Sequence, residues 1–186
     1  MPNWSTDIPD EPRGHGLPIR RTPAYKPMHA IITSTDLIGC YTHFYKGSTH
    51  PCSKPDCEPC LNGIPYRWHA YMSAVDVGTN LHFIYEVTAL SAEFFVAYRD
   101  KHLTLRGCQF QAKRWNNKPN GRILIQTKPA DLGERQLPAP PDLEKCMAII
   151  WSLPLPAVTT PDRDPEKNTP HVHVNPEWEP KSCPDS

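Results

Sequence analysis

Between Cys40 and Cys60 the chain reads CYTHFYKGSTHPCSKPDCEPC, and three of its seven cysteines, Cys52, Cys57 and Cys60, fall within nine residues. Cys57-Glu58-Pro59-Cys60 is a C-x-x-C pair, a spacing that lets two thiolates converge on one tetrahedral Zn²⁺ without strain. Cys52 supplies a third thiolate from the incoming arm of the loop. A closed structural site needs a fourth donor, and the spacing leaves His43, His50 and Cys40 open. His43 stands where an extended strand hands over to the loop, His50 is only two residues from Cys52, and Cys40 lies further back. A disulfide framework needs an oxidising compartment, yet no signal peptide is expected at the start of the chain and the cysteine count is odd. A thioredoxin-like redox pair wants its C-x-x-C at the start of a helix, whereas Pro51, Pro55 and Pro59 predict a loop. The expected role of Zn²⁺ is therefore to fix a loop with too few apolar residues to fix itself.

The stretch around this loop interleaves cations with rings: Tyr41, Tyr45, Lys46, Arg67, Tyr71, Lys113, Trp115, Lys118 and Arg122. Single-stranded nucleic acid needs that mixture, because cations follow phosphates while flat side chains stack on unpaired bases. Duplex DNA calls instead for a helix or ribbon entering a groove. The net charge of zero hides an asymmetry. Residues 25–129 carry seven Lys and five Arg against seven acids, and residues 130–186 carry five bases against ten acids. A basic body can attract a polyanion, and an acidic tail can compete for the same surface.

The elements that must position these residues follow from hydrophobic period. Residues 1–24 lack periodicity and read as a flexible arm, with Arg20 and Arg21 as phosphate contacts. From Met28 to Tyr45 the chain is rich in β-branched and aromatic residues, one long curling strand with a bulge or bend at Gly39. Tyr66–Val77 and Leu81–Thr88 alternate around a Gly78-Thr79-Asn80 turn and predict a hairpin. In it Trp68, Ala70, Met72, Ala74, Leu81, Phe83, Tyr85 and Val87 face the core. Ser91 caps a helix to about His102. Cys108–Trp115 and Arg122–Thr127 are the last strands, joined by a turn in which Asn120-Gly121 takes positive φ. The fold class is all-β or α+β: a five-stranded OB-fold barrel over residues 25–129. A zinc loop (about 45–65) is inserted between strands 1 and 2, and one helix lies between strands 3 and 4. Residues 130–186 form a Pro-rich acidic tail, with a short helix expected at 141–153 and its apolar set, Leu143, Met147, Ile150 and Trp151, free to dock.

The run HFYKGSTHPCSKPDCEPC, the aromatic-basic strand after it and the later LTLRG together resemble the zinc-containing OB-fold single-stranded DNA-binding proteins of tailed phages and mobile elements. The resemblance covers roughly residues 28–128. It implies that His43, Cys52, Cys57 and Cys60 hold a zinc beside a DNA cleft, and that the acidic tail recruits replication, repair or mobile-element proteins. The expected function is single-stranded DNA binding in a basic, aromatic-lined groove. A protein-interaction adaptor, a subunit of a nucleoprotein complex and an RNA-binding OB module are the alternatives. No enzyme is expected: a zinc closed by four protein ligands leaves no site for water, and no G-x-S-x-G, P-loop, H-E-x-x-H or deaminase H-x-E run occurs. No apolar run approaches a membrane span, so no membrane partner is expected and the location is cytoplasmic, the host cytoplasm if phage-encoded.

Overall fold

The computed structural model describes residues 16–155. The first part of the expected arm and the acidic tail beyond residue 155, including its role in partner recruitment, lie outside the described residues. The strands are β1 (Ile19–Arg20), β2 (Met28–Ile32), β3 (Ile38–Tyr45), β4 (Ser48–Pro51), β5 (Tyr66–Asp76), β6 (His82–Thr88), β7 (Cys108–Arg114) and β8 (Ile123–Pro129). The helices are α1 (Glu58–Leu61), α2 (Ala89–His102) and α3 (Leu143–Ile150). All strands belong to one mixed sheet in the order β1-β6-β5-β2-β7-β8, with β3 paired to β5 and to β4. Only β1 runs parallel to its neighbour, placing Ile19 opposite Ile84. The path begins at β1 and ends at β8, and among the described residues no ladder joins β8 back to β6, so the sheet is open. The fold is α+β.

The long first strand expected from Met28 to Tyr45 is two strands. Thr33, Ser34, Thr35 and Asp36 separate them, and the Ser34 and Asp36 side chains accept from backbone amides in place of a ladder partner. The Ser73 amide donates to Ser34 Oγ at 3.2 Å, Thr33 Oγ1 donates to Ser73 Oγ at 2.7 Å, and Asp36 pairs with Arg99 at 3.0 Å. Gly39 makes no bulge; it keeps its register opposite Ala70. A Cβ there would fall 2.0 Å from the Trp68 ring, so glycine is needed to let the indole cross the strand.

One face of the sheet is the main core. Tyr85 stacks on Phe110 at 4.8 Å, and Phe95 of α2 meets both rings edge-on. Leu81, expected in this core, precedes β6 and is exposed. Helix α2 begins two residues before the expected Ser91 cap, with Thr88 at the cap position, and ends at Leu103 in the left-handed conformation.

The opposite face of β5 and β6 is not open. Met147, Ile150 and Trp151, from α3 and its end, pack with Leu17 and Ile19 onto Tyr71 and Ile84. Trp151 meets Tyr71 edge-on at 5.4 Å. The segment 16–24 is therefore anchored, in contrast to the expected free arm. Arg21 reaches both carboxylate oxygens of buried Glu86 at 2.8 and 2.9 Å. Arg20 lies over the Phe83 ring at 5.2 Å and 4.0 Å from Asp76. Both arginines are held by the body of the sheet, and Arg21 keeps half of its side chain exposed.

Candidate metal centre and the adjoining trough

Strand alternation sorts β3 into two sides. Tyr41, His43 and Tyr45 point one way, and Thr42 and Phe44 the other. Hairpin β3–β4 pairs His43 with His50, and the Cys52 amide continues its ladder by donating to the Tyr41 carbonyl at 2.8 Å. The chain then turns into α1. Where a plain loop was expected from the prolines, Glu58–Leu61 forms one helical turn, with Cys57 at its cap position and a proline in its first turn, where the missing N–H costs nothing. The Leu61 amide donates to the Cys57 carbonyl at 3.0 Å, and that of Gly63, at φ +69°, donates to Cys60. The turn brings Cys57 and Cys60 to the same side as Cys52.

The donor atoms of His43, Cys52, Cys57 and Cys60 lie within 4.8 Å of one another, so the four can hold a metal ion. Cys52 Sγ and Cys60 Sγ are 3.6 Å apart, and Cys60 Sγ is 3.4 Å from His43 Nε2. Those spacings match donors about 2.0–2.3 Å from a common tetrahedral centre. His43 Nδ1 lies 3.1 Å from the Ile64 carbonyl, which can only accept, so Nδ1 carries the proton and Nε2 turns its lone pair to the thiols. The other two candidates are occupied elsewhere. His50 is exposed and bonds Ser48 Oγ at 2.6 Å, while Cys40 packs in the α3 cluster, where burial and then Glu86 push its thiol up.

The chemistry of the set also fits a cation. The Cys60 amide holds the Cys57 thiol down to about 7, whereas burial pushes Cys60 up to about 11. Neighbouring thiols held as far apart in titration as Cys57 and Cys60 do not ionise together unless a positive charge joins them. Outside the donors, Tyr45 Oη and Lys46 Nζ both donate to Glu58 Oε1 at 2.9 Å, tying the β3–β4 turn to α1. Tyr41 meets Tyr66 edge-on at 5.2 Å, Tyr66 meets His43 the same way, and Lys54 Nζ lies 3.9 Å over the Tyr66 ring.

On the other side of β3 lies a trough. Thr42, Phe44 and Thr49 of the hairpin, Arg67 and His69 of β5, and Asn120 of the β7–β8 tip line it together. Ile64, Pro65 and Arg21 complete the lining. Phe44 is 66 % exposed, and Arg67, also exposed, takes part in no salt bridge among the described residues. Thr42 Oγ1 and His69 Nδ1 share a 2.6 Å hydrogen bond, and His69 is 3.8 Å from Glu86. Burial holds the His69 imidazole below its ordinary range against the pull of Glu86.

The nine residues expected to touch nucleic acid are scattered by the fold. Arg67 lines the trough, and Arg122 lines a neighbouring cleft past the β7–β8 tip. Tyr45 and Lys46 are engaged with Glu58, and Tyr41 lies on the metal side of β3. Lys113, Trp115 and Lys118 are exposed and line neither cleft. Tyr71 is a correction: at 1 % exposure against Trp151, its hydroxyl without a hydrogen-bond partner among the described residues, it is not open to a base. Asn120-Gly121 is a correction too, since the positive φ values fall at Asn116 and Asn117. Gly121 is needed because a Cβ would sit 2.5 Å from the Trp115 carbonyl. Phe44, His69 and Asn120 were missed by composition. The signal for Phe44 was available: once His43 is a ligand, alternation sends its neighbour to the opposite side.

Among the described residues no helix is long and apolar enough to cross a membrane. No protein-family model matches the chain, and no curated protein or solved structure matches it.

Proposed function

We propose that this chain is a single-stranded DNA-binding protein whose cleft is the trough beside the metal centre, and that the ion is a structural Zn²⁺. The observation that carries the reading is that the metal-pinned hairpin and the β7–β8 tip line one cleft, with Phe44 and Arg67 exposed inside it. A ring for stacking and a guanidinium for phosphate within one groove is the combination that unpaired strands require. Four protein donors satisfy a tetrahedral Zn²⁺, so the ion would supply folding free energy and keep no open position for water. The finer fold reading is an OB-type barrel that stops short of closure. Taking β2 and β3 together as a first strand, the ladders β2–β5, β3–β5, β5–β6, β2–β7 and β7–β8, with α2 between β6 and β7, support that order.

The test is a titration of tryptophan fluorescence with single-stranded and duplex oligonucleotides over a range of salt. The reading expects single strands to bind at least about ten-fold tighter than duplex, with log affinity falling by about 0.7 per contacted phosphate for each log unit of salt. Replacing Phe44 by Ala should weaken binding by about five- to a hundred-fold, the cost of one lost stack. Equal affinity for duplex contradicts the reading. Tighter binding of a matched RNA strand would move it to RNA, and salt-insensitive protein binding with no oligonucleotide response would move it to the adaptor. Metal analysis of the purified chain should find zinc, lost when Cys57 or Cys60 becomes Ser.

A further inference from the structure

The β7–β8 tip has a second side. Beyond it, a cleft opens between the tip and the start of α2, lined by Arg67, Arg114, Arg122, Leu90, Phe94 and, on the helix wall, Glu93. Arg67 and Asn120 line both this cleft and the trough, so the two are continuous around the tip. Arg114 is fixed there: its Nε donates to the Thr22 carbonyl at 3.0 Å and its Nη1 to Gly121 at 3.4 Å. Arg67 and Arg122 take part in no salt bridge among the described residues. On the helix, Leu90 is 72 % and Phe94 40 % exposed, and they line the cleft together with the three arginines.

From this we propose that the second cleft continues the nucleic-acid path: a single strand leaving the trough at Arg67 turns around the Asn120-Gly121 tip and lies between β8 and α2. This rests on the single-strand reading above. The alternative course, along the outer face of β5 and β6, is closed where α3 covers Tyr71 and Ile84. The α2 cleft offers what a bent strand needs. Its guanidiniums neutralise phosphates, and Phe94 gives a flat apolar surface to a base turned outward at the bend. A protein partner would find three cations and a single carboxylate there, a poor match unless it were itself acidic.

The path predicts a dependence on length that one cleft would not give. In the full chain, an oligonucleotide of about 5 nucleotides fills the trough, and one of about 12 reaches the second cleft, within the range known for such sites. The longer strand should bind about ten-fold or more tighter, beyond the statistical gain from extra registers. Leu90→Glu with Phe94→Glu should abolish that gain while leaving the short strand within about two-fold, since neither residue lines the trough. Phe94→Trp should keep it, and Phe94→Ala, the milder truncation, should lose most of it. Unchanged thermal midpoints accompany the expected result. A length gain that survives the double Glu variant overturns the path and leaves the trough reading intact. Loss of short- and long-strand affinity in equal measure also overturns it. Failure of the wild-type chain to bind either length overturns both.

Discussion

Hairpin β3–β4 with α1 and hairpin β7–β8 reach the same trough, yet they are held in place by different physics. Between residues 46 and 66 only Cys57 and Pro59 are buried, so the first region has almost no apolar core of its own. The second commits Cys108, Phe110, Ala112 and Ile125 to the main cluster and is locked by seven register pairs. One region brings four donor atoms within 4.8 Å of one another, a set that would hold it through a metal ion, and the other is held by area removed from water. On the proposed coordination, a metal ion would do for a polar, proline-rich insert what burial does for a strand pair, and would leave the residues facing away from it free to meet a ligand. Phe44 is the clearest case, exposed beside a buried ligand.

The largest effect should come from breaking the coordinated wall. Removing the metal with a chelator, or replacing Cys57 by Ser, takes away an interaction on the order of 10 kcal/mol in isolated zinc modules. Amide exchange in residues 43–61 should become fast while β5, β6 and β7 stay protected; global unfolding would show that the walls are not independent. Next comes the buried wall: Phe110→Ala should cost about 3–5 kcal/mol by denaturant unfolding and leave metal content per chain unchanged. Trp151→Ala should cost less, about 1–3 kcal/mol, because Trp151 is only partly buried. It should leave single-strand binding within about two-fold, since it lies outside the trough.

The smallest expected effect is in pH dependence. His82 bonds Thr33 Oγ1 at 2.7 Å, and burial, followed by the Arg106 guanidinium, holds its imidazole below the usual range. The unfolded chain therefore takes up a proton first. That share of stability is complete above the unfolded value of about 6.5 and is lost as pH falls from there through the lower folded value. A His82→Gln chain should show a flatter stability profile below pH ~6.5, and an unchanged slope would remove His82 from the account.

Local signals in the sequence carried much of this fold. The C-x-x-C spacing pointed to Cys57 and Cys60, and the period-two runs marked β5, β6 and β7, because each depends on near neighbours. Signals that depend on distant residues were not legible. The outer face of β5 reads as polar and aromatic, and nothing at Arg67, His69 or Tyr71 tells that α3, some seventy residues later, will cover one of them and not the others. Likewise the separation of β2 from β3 depends on Ser73 offering partners to Thr33 and Ser34. Lists of cations and rings fail for the same reason: Lys46 and Tyr45 look free until Glu58 folds back onto them.

The central claim is that the metal-pinned hairpin and the β7–β8 tip grip one strand between them. Amide exchange on the metal-loaded chain, with and without a saturating single-stranded oligonucleotide, tests it most directly. The account predicts added protection at residues 42–49 and, in the same complex, at residues 117–122, with β2 unchanged. Protection at one of these segments alone, or at neither, would contradict it.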